Sequence, residues 1–188
     1  MRIFSLPLFL ILGNLNLSAQ PFSSIEIGGA LSRPSIQDES YSSRWALTDA
    51  CSIQLRVPYY RKLTIGAEYT YFIYKGKEEG YSDISATNYS ALIGFNSFRN
   101  KRLNIFLGIN VGIQRTLLLD KKFTSNPDES ELLYSLVFEP QISFKRVVIF
   151  GSATYQKIYN YRRQHIFYIG YGVRLRIGLP NKIQEFIE

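Results

Sequence analysis

Residues 103–114 read LNIFLGINVGIQ, a stretch in which branched apolar side chains alternate with small, polar or aromatic ones. The apolar set is Leu103, Ile105, Leu107, Ile109, Val111 and Ile113. Side chains of a strand point alternately to the two faces of a sheet, whereas the apolar face of a helix recurs every three or four residues. The stretch therefore predicts a β-strand with one apolar face, and residues 165–177 repeat the pattern.

Alternation of this kind recurs in eight segments of the chain. We predict strands near residues 23–32, 47–57, 62–74, 87–96, 103–114, 133–143, 147–157 and 165–177. Long and short connections alternate between them, which is typical of an up-and-down meander with loops at one end and tight turns at the other. The predicted fold class is all-β, an eight-stranded antiparallel up-and-down β-barrel.

The two faces of these strands differ in charge. The apolar face carries no charged residue in any of the eight segments, and the opposite face is rich in Gly, Ser, Thr, Asn and Gln. Because side chains just fill an eight-stranded lumen, the small and polar face suits the interior. The outward apolar belt would exceed the patch that soluble monomers tolerate, whereas a bilayer accommodates both the belt and the closed backbone. We predict a transmembrane barrel, with a soluble periplasmic ligand-binding barrel as the alternative.

Aromatic residues gather near both ends of the predicted strands, as interfacial girdles require. The short-turn rim holds Tyr59, Tyr60, Phe98 and Phe144, and the long-loop rim holds Tyr71, Tyr89, Tyr134, Tyr155 and Tyr159.

Residues 1–19 resemble a secretory signal peptide. A basic start at Arg2 is followed by an apolar run from Ile3 to Leu12 and by a small-residue exit, with cleavage after residue 19 or 20. The run is too short to span a membrane as a helix. We assign residues 20–178 to the barrel domain and residues 179–188 to a periplasmic C-terminal tail. The single cysteine, Cys51, excludes a disulfide framework and a cysteine-rich metal site.

The 22 Lys and Arg residues exceed the 15 Asp and Glu residues, which gives a formal net charge of +7. Much of this excess lies in the short turns and in the last long loop, where it suits contacts with lipid head groups. The candidate contacts are Arg61, Lys62, Arg99, Lys101, Arg102, Lys145, Arg146, Arg162 and Arg163. A role in solubility alone is the alternative. Nucleic acid is not an expected partner, because the basic groups are scattered rather than aligned with stacking aromatics.

Charged residues also fall on the face predicted to line the lumen. These are Glu26, Arg56, Glu68, Glu139, Arg174 and Arg176. Because a charge inside the barrel is tolerated when it is paired and hydrogen-bonded, we expect an internal ion-pair cluster that plugs the lumen. An ion path or a proton relay is the alternative. The sequence offers no catalytic or metal-binding constellation, and we expect no cofactor.

At this level the chain resembles the small OmpA/OmpX-like outer-membrane β-barrel proteins of Gram-negative bacteria. Gly172, Leu175 and Ile177 are spaced like the terminal-strand signal that barrel-assembly machinery recognises in such proteins, although this chain continues to Glu188. The resemblance implies an outer-membrane location, contact with outer-membrane lipids and transient contact with that machinery.

Some similar barrels are enzymes that act on outer-leaflet lipid. The deacylases among them use a His-x-Ser pair, whereas His165 is followed here by Ile166 and Phe167. We therefore expect a non-enzymatic, structural or accessory role, in which the loops or the lipid-facing surface of the barrel bind another component of the envelope. A lipid-modifying enzyme is the alternative.

Overall fold

The computed structural model describes residues 24–37, 42–60, 62–77, 81–97, 102–119, 129–159 and 164–179. Residues 1–19 of the predicted signal peptide and residues 180–188 of the predicted tail lie outside this part. The strands are β1 (Ser24–Gln37), β2 (Trp45–Leu47), β3 (Ala50–Tyr60), β4 (Leu63–Gly76), β5 (Ile84–Asn96), β6 (Leu103–Leu118), β7 (Glu129–Phe144), β8 (Val147–Tyr159) and β9 (Gln164–Gly178). Among the described residues, no helix is long and apolar enough to cross a membrane.

Eight of the strands form a closed antiparallel ring in the order β1, β3, β4, β5, β6, β7, β8 and β9. The last strand pairs with the first, from Ser24 opposite Gly178 to Gln37 opposite Ile166, and this pairing closes the barrel. The predicted fold class is therefore confirmed. The short β2 was not predicted, because three residues are too few to show an alternation. It pairs with the end of β4, with Trp45 opposite Gly76.

The strands extend beyond their predicted bounds at the long-loop end, which we call the outer end. β1 continues to Gln37 and β6 to Leu118, and β7 already begins at Glu129. These extensions carry charged outward residues such as Arg33 and Arg115 in place of the apolar set. Backbone pairing therefore continues toward the outer end beyond the apolar alternation from which the strand bounds were predicted.

Three prolines lie within the strands, and each coincides with an irregularity of the ladder. The register shifts at Pro34 between β1 and β9 and at Pro58 between β3 and β4. At Pro140 the pairing of β7 with β8 is interrupted between Phe138 and Gln141 without a shift in register. Proline has no N–H to donate, so a closed barrel accommodates it where the ladder is already broken.

The apolar face points outward, as predicted. Leu107 and Ile169 are 53% and 55% exposed, whereas their neighbours Phe106 and Tyr168 are 0% and 5% exposed. Of the predicted girdle residues, Phe144 is exposed at the short-turn end, which we call the inner end, and Tyr89 and Tyr159 are exposed at the outer end. Phe98 lies outside the described residues.

The lumen is not small and polar throughout, and this part of the prediction is wrong. Eight apolar or aromatic side chains pack together in its outer part, and we call this set the outer plug. The outer plug consists of Ala50, Phe72, Tyr74, Ala86, Leu133, Ile158, Ile166 and Tyr168. The majority of the residues on this strand face are small or polar and so predict a polar lumen, but a barrel interior also buries large apolar groups wherever they fill its volume.

Candidate functional site in the barrel interior

Five of the six predicted lumen charges form one continuous chain at the inner end, which we call the inner network. Arg56 donates two hydrogen bonds to the Glu139 carboxylate, at 2.6 and 2.9 Å. Arg174 donates to the same carboxylate at 3.1 Å and lies 3.4 Å from the carboxylate of Glu26. Arg176 then donates to Glu26 at 2.7 Å. The order along the chain is Arg56, Glu139, Arg174, Glu26 and Arg176.

The strand register explains why the charges on β1, β3 and β9 lie close together. Glu26 on β1 lies directly opposite Arg56 on β3 and Arg176 on β9, so three charges meet on neighbouring strands. Glu139 comes from β7, which lies on the far side of the ring from β3. The ion pair between Arg56 and Glu139 therefore crosses the lumen and ties opposite walls together.

The buried arginines also stack on aromatic rings. The Arg56 guanidinium lies 4.3 Å from the ring centre of Phe106, and the Arg174 guanidinium lies 4.0 Å from that of Phe150. Both arginines are at most 1% exposed, so each ring face replaces water against a charged group. Sequence reasoning missed Phe106 and Phe150 as members of the site, although both lie on the lumen parity.

Glycines make room for these rings. A Cβ atom at Gly94 would approach the Phe106 ring to 2.2 Å, and one at Gly172 would approach the Phe150 ring to 2.4 Å. Neither distance leaves room for a methyl group. Gly94 and Gly172 lie on the strands next to those of Phe106 and Phe150, so no local sequence pattern indicated the stacked arginines.

Amide side chains extend the network along the inner end. Gln54 accepts a hydrogen bond from Arg174 at 2.8 Å, and Gln141 donates one to Glu139 at 3.2 Å. Asn104 donates to both Gln141 and Asn96, at 3.3 and 2.6 Å. The buried charges are thereby held in fixed positions as well as neutralised.

Glu68, the sixth predicted member of the cluster, lies apart from this network. Its carboxylate accepts hydrogen bonds from Asn110 at 3.0 Å and from Thr70 at 3.3 Å. It borders a cavity of about 40 Å³ between the inner network and the outer plug, which we call the middle cavity.

Other chemistry-bearing residues lie on the outside of the barrel. The His165 ring contacts the Tyr155 hydroxyl group near the outer end. Arg33 and Asp49 form an exposed ion pair at 3.0 Å, and the hydrogen bond from Arg33 lowers the pKa of the Asp49 carboxyl group. Cys51 is exposed on the outward face. Within the described ranges, no group of three or more His, Cys, Asp or Glu residues is arranged to hold a metal ion.

Neither a protein-family model nor a curated protein matches this chain. Solved structures do match it. Neisserial surface protein A is similar with a TM-score of 0.58 at 12% identity, over 85% of this chain and 99% of that one. The N-terminal barrel domain of Pseudomonas aeruginosa OprF is similar with a TM-score of 0.52 at 13% identity, over 84% and 100%. The chain has the fold of the small outer-membrane β-barrels.

A third similar structure was determined in a lipid environment. The Yersinia pestis outer membrane protein Ail, in a phospholipid bilayer nanodisc, matches with a TM-score of 0.52 at 12% identity, over 81% of this chain and 99% of that one. At these identities the likeness concerns the fold alone. The outward apolar belt adds a physical argument, because such a surface is stable against lipid and not against water.

The basic short turns lie at the inner edge of this belt. Lys62, Arg102, Lys145 and Arg146 are exposed there, and the Lys62 ammonium group lies 5.5 Å from the ring centre of the outward Phe95. Lys145 adopts a left-handed backbone conformation with φ of 46° in the tight turn between β7 and β8. The other predicted head-group contacts, Arg61, Arg99, Lys101, Arg162 and Arg163, lie outside the described residues.

Proposed function

We propose that the protein is a non-enzymatic outer-membrane barrel with a structural or accessory role, whose outer surface and not its lumen meets its lipid and protein partners. The observation that carries this proposal is the filling of the lumen at both ends. The inner network crosses the barrel between Arg56 and Glu139, and the outer plug packs Phe72, Leu133 and Ile158 to 1% exposure or less.

A filled lumen argues against a general diffusion pore. Moving solutes through it would require separating buried ion pairs and displacing packed aromatic rings, both of which are unfavourable. Among the described residues, the cavity between the two ends has a volume of about 40 Å³, which is far smaller than the 300–1,000 Å³ of a typical small-molecule site. The functional surface is therefore the lipid-facing belt, the basic turns and the loops.

Lipid is the partner that this surface fits best. Basic side chains beside outward aromatic groups attract anionic head groups by about 1 kcal/mol for each Lys or Arg near the membrane surface. Lys62 has this arrangement with Phe95 at the inner end, where Lys145 also follows the exposed Phe144 in the chain. A protein partner in the envelope would bind through the loops, and barrel-assembly machinery would act on β9 during biogenesis.

A two-part experiment tests the barrel assignment. The mature protein is expressed, its recovery with and without detergent is compared, and its conductance is recorded in planar bilayers. We expect recovery in detergent only and no sustained conductance at neutral pH. A soluble monomer without detergent would contradict the membrane location, and a stable open channel would contradict the closed lumen.

The head-group contact is tested with the double variant Lys145→Gln/Arg146→Gln. In vesicles containing anionic lipid, we expect it to lose about 2 kcal/mol of the stabilisation that anionic lipid gives the wild type. In neutral phosphatidylcholine vesicles the two proteins should unfold alike. Lys75→Gln, a charge change on the outer extension of β4, is the matched control. An equal response of all three proteins to anionic lipid would contradict the contact.

The lipid-modifying alternative has a direct test at His165. Lipid A from cells that express the wild type is compared by mass spectrometry with lipid A from cells that express His165→Ala or no protein. We expect three identical acylation patterns. A pattern that changes with the wild type and reverts with His165→Ala would replace the accessory role with an enzymatic one.

A further inference from the structure

Most of the residues that line the middle cavity carry an oxygen atom in their side chain. Its lining residues include Ser32, Ser52, Glu68, Thr70, Asn88, Ser90, Asn110, Ser135, Thr154 and Gln156. Its outer wall is formed by members of the outer plug, among them Leu133 and Tyr168. A cavity needs roughly 10–15 Å³ of such volume to hold one water, so a volume of about 40 Å³ has room for water or for one small ion.

Several of these side chains have buried polar atoms that lack a hydrogen-bond partner. Asn88 Oδ1 and Asn110 Oδ1 are unpaired acceptors, and Gln156 Nε2 and the Tyr168 hydroxyl group are unpaired as well. All four residues are 6% exposed or less. Each such atom destabilises the fold unless a water or an ion satisfies it. Four of them around one cavity indicate an occupant.

The charge of Glu68 indicates what kind of occupant this is. Within the described part of the chain, no Lys or Arg nitrogen lies within 4 Å of its carboxylate. The charge of Arg56 acts on Glu68 from a greater distance, while its guanidinium group is in direct contact with Glu139. Arg176 is 34% exposed at the inner mouth, where solvent screens its charge. Glu68 is therefore a carboxylate at the edge of a polar cavity without a cation in contact.

We propose that the middle cavity binds one small monovalent cation of sodium size, with Glu68 supplying the negative charge and the Asn88 and Asn110 carbonyl oxygens supplying further ligands. Carboxylate, amide and hydroxyl oxygens are hard ligands that suit alkali and alkaline-earth ions. One carboxylate balances a single positive charge, whereas calcium sites in proteins gather several carboxylate and carbonyl ligands. Gln156 Nε2 and the Tyr168 hydroxyl group donate to the waters that complete the coordination.

Cation-dependent unfolding tests this site. The refolded protein in phosphatidylcholine vesicles is unfolded with urea in sodium chloride or in choline chloride at one ionic strength, because choline is too large for a cavity of this volume. An ion that binds the folded state alone lowers the unfolding equilibrium constant about tenfold when its concentration is roughly ten times its Kd. We expect a saturable stabilisation by sodium, its loss in Glu68→Gln, and its retention in Glu129→Gln, which removes an exposed carboxylate at the outer end.

The opposite result would assign the cavity to water. If the wild type unfolds alike in both salts and Glu68→Gln is at least as stable, the carboxyl group is protonated, waters fill the space and the proposal is wrong. If Glu68→Gln does not fold, a thallium(I)-soaked crystal of the wild type decides. An anomalous peak within coordination distance of Glu68 supports the site. If thallium occupies other sites in the crystal at high occupancy and no peak lies near Glu68, the proposal is wrong.

Discussion

The inner network and the outer plug fill the same lumen with opposite chemistry. At the inner end, Glu139 is 0% exposed and is held by Arg56 and Arg174 across the barrel. At the outer end, Phe72 packs against Tyr74 and Tyr168, with ring centres 5.3 and 6.4 Å apart. Both ends exclude water. The inner end does so with charged side chains that must pair with one another, and the outer end does so with apolar side chains that only need to fill the space.

This difference determines how each end responds to substitution. Removing one member of a buried ion pair leaves an uncompensated charge, whereas removing both members leaves a smaller, neutral defect. A truncated plug residue loses transfer free energy and leaves a cavity, in proportion to its size. The inner network therefore depends on the identity of its partners, and the outer plug depends on its total volume.

The largest effect is expected from Glu139→Gln, which keeps the shape of the side chain and removes its charge. Arg56 and Arg174 would both lose their shared carboxylate, so we expect a loss of about 3–5 kcal/mol in the free energy of unfolding. Urea unfolding in lipid vesicles measures this loss, with Glu129→Gln as the exposed control. The double variant Arg56→Met/Glu139→Gln should recover most of it. A double variant as unstable as the single one would show that charge matching is not what stabilises the inner end.

At the other end, Leu133→Ala should lower the free energy of unfolding by about 2–5 kcal/mol, because Leu133 is 1% exposed within the plug. Leu133→Met, which conserves volume, should lose less than about 1.5 kcal/mol. The same urea titration compares the two variants. Equal losses for alanine and methionine would contradict a plug that depends on volume.

The sequence predicted the parts of this molecule that follow from strand periodicity. The alternation in residues 103–114 recurs as an outward face that is half exposed at Leu107 and an inward face that is fully buried at Phe106. The lumen position of all six charges followed from the same parity rule. The ring order was predictable as well, because consecutive strands of a meander are neighbours.

The sequence could not predict the contacts between side chains on opposite walls of the lumen. Parity puts Glu68 and Glu139 on the same face, but it does not say that Glu139 reaches Arg56 from the opposite wall while Glu68 stays apart. The outer plug was missed for a related reason. Phe72 and Ile158 are inward by parity, yet an inward apolar residue reveals its contacts only when the closed ring brings other strands opposite to it.

Glycine positions extend the comparison from the lumen to the lipid face. A Cβ atom at Gly28 would lie 2.1 Å from the Val173 carbonyl oxygen, where the closing strands β1 and β9 approach each other. A Cβ atom at Gly151 would meet nothing closer than 3.7 Å. We expect Gly28→Ala to lower the free energy of unfolding by about 1–3 kcal/mol and Gly151→Ala to change it little. Heat-modified mobility on gels provides a rapid measure. Equal mobility shifts of the two variants would mean that β1 and β9 can move apart to accommodate a side chain at position 28.

The smallest effect is expected at the exposed pair of Arg33 and Asp49, which is an ion pair like those of the inner network but lies in water. The hydrogen bond from Arg33 lowers the pKa of Asp49 in the folded state. Any stabilisation from this pair is therefore present above the ordinary pKa of an aspartate and is lost as the pH falls through the lowered value. Because both side chains are more than half exposed, solvent screens the interaction.

Asp49→Asn should accordingly leave the urea midpoint at pH 7 almost unchanged. The urea midpoints of the wild type and the variant should differ slightly less at pH 3 than at pH 7. Parallel urea titrations at the two pH values measure this difference. A loss at pH 7 as large as that of Glu139→Gln would show that water does not weaken this pair, and it would remove the physical basis for contrasting buried charges with exposed ones.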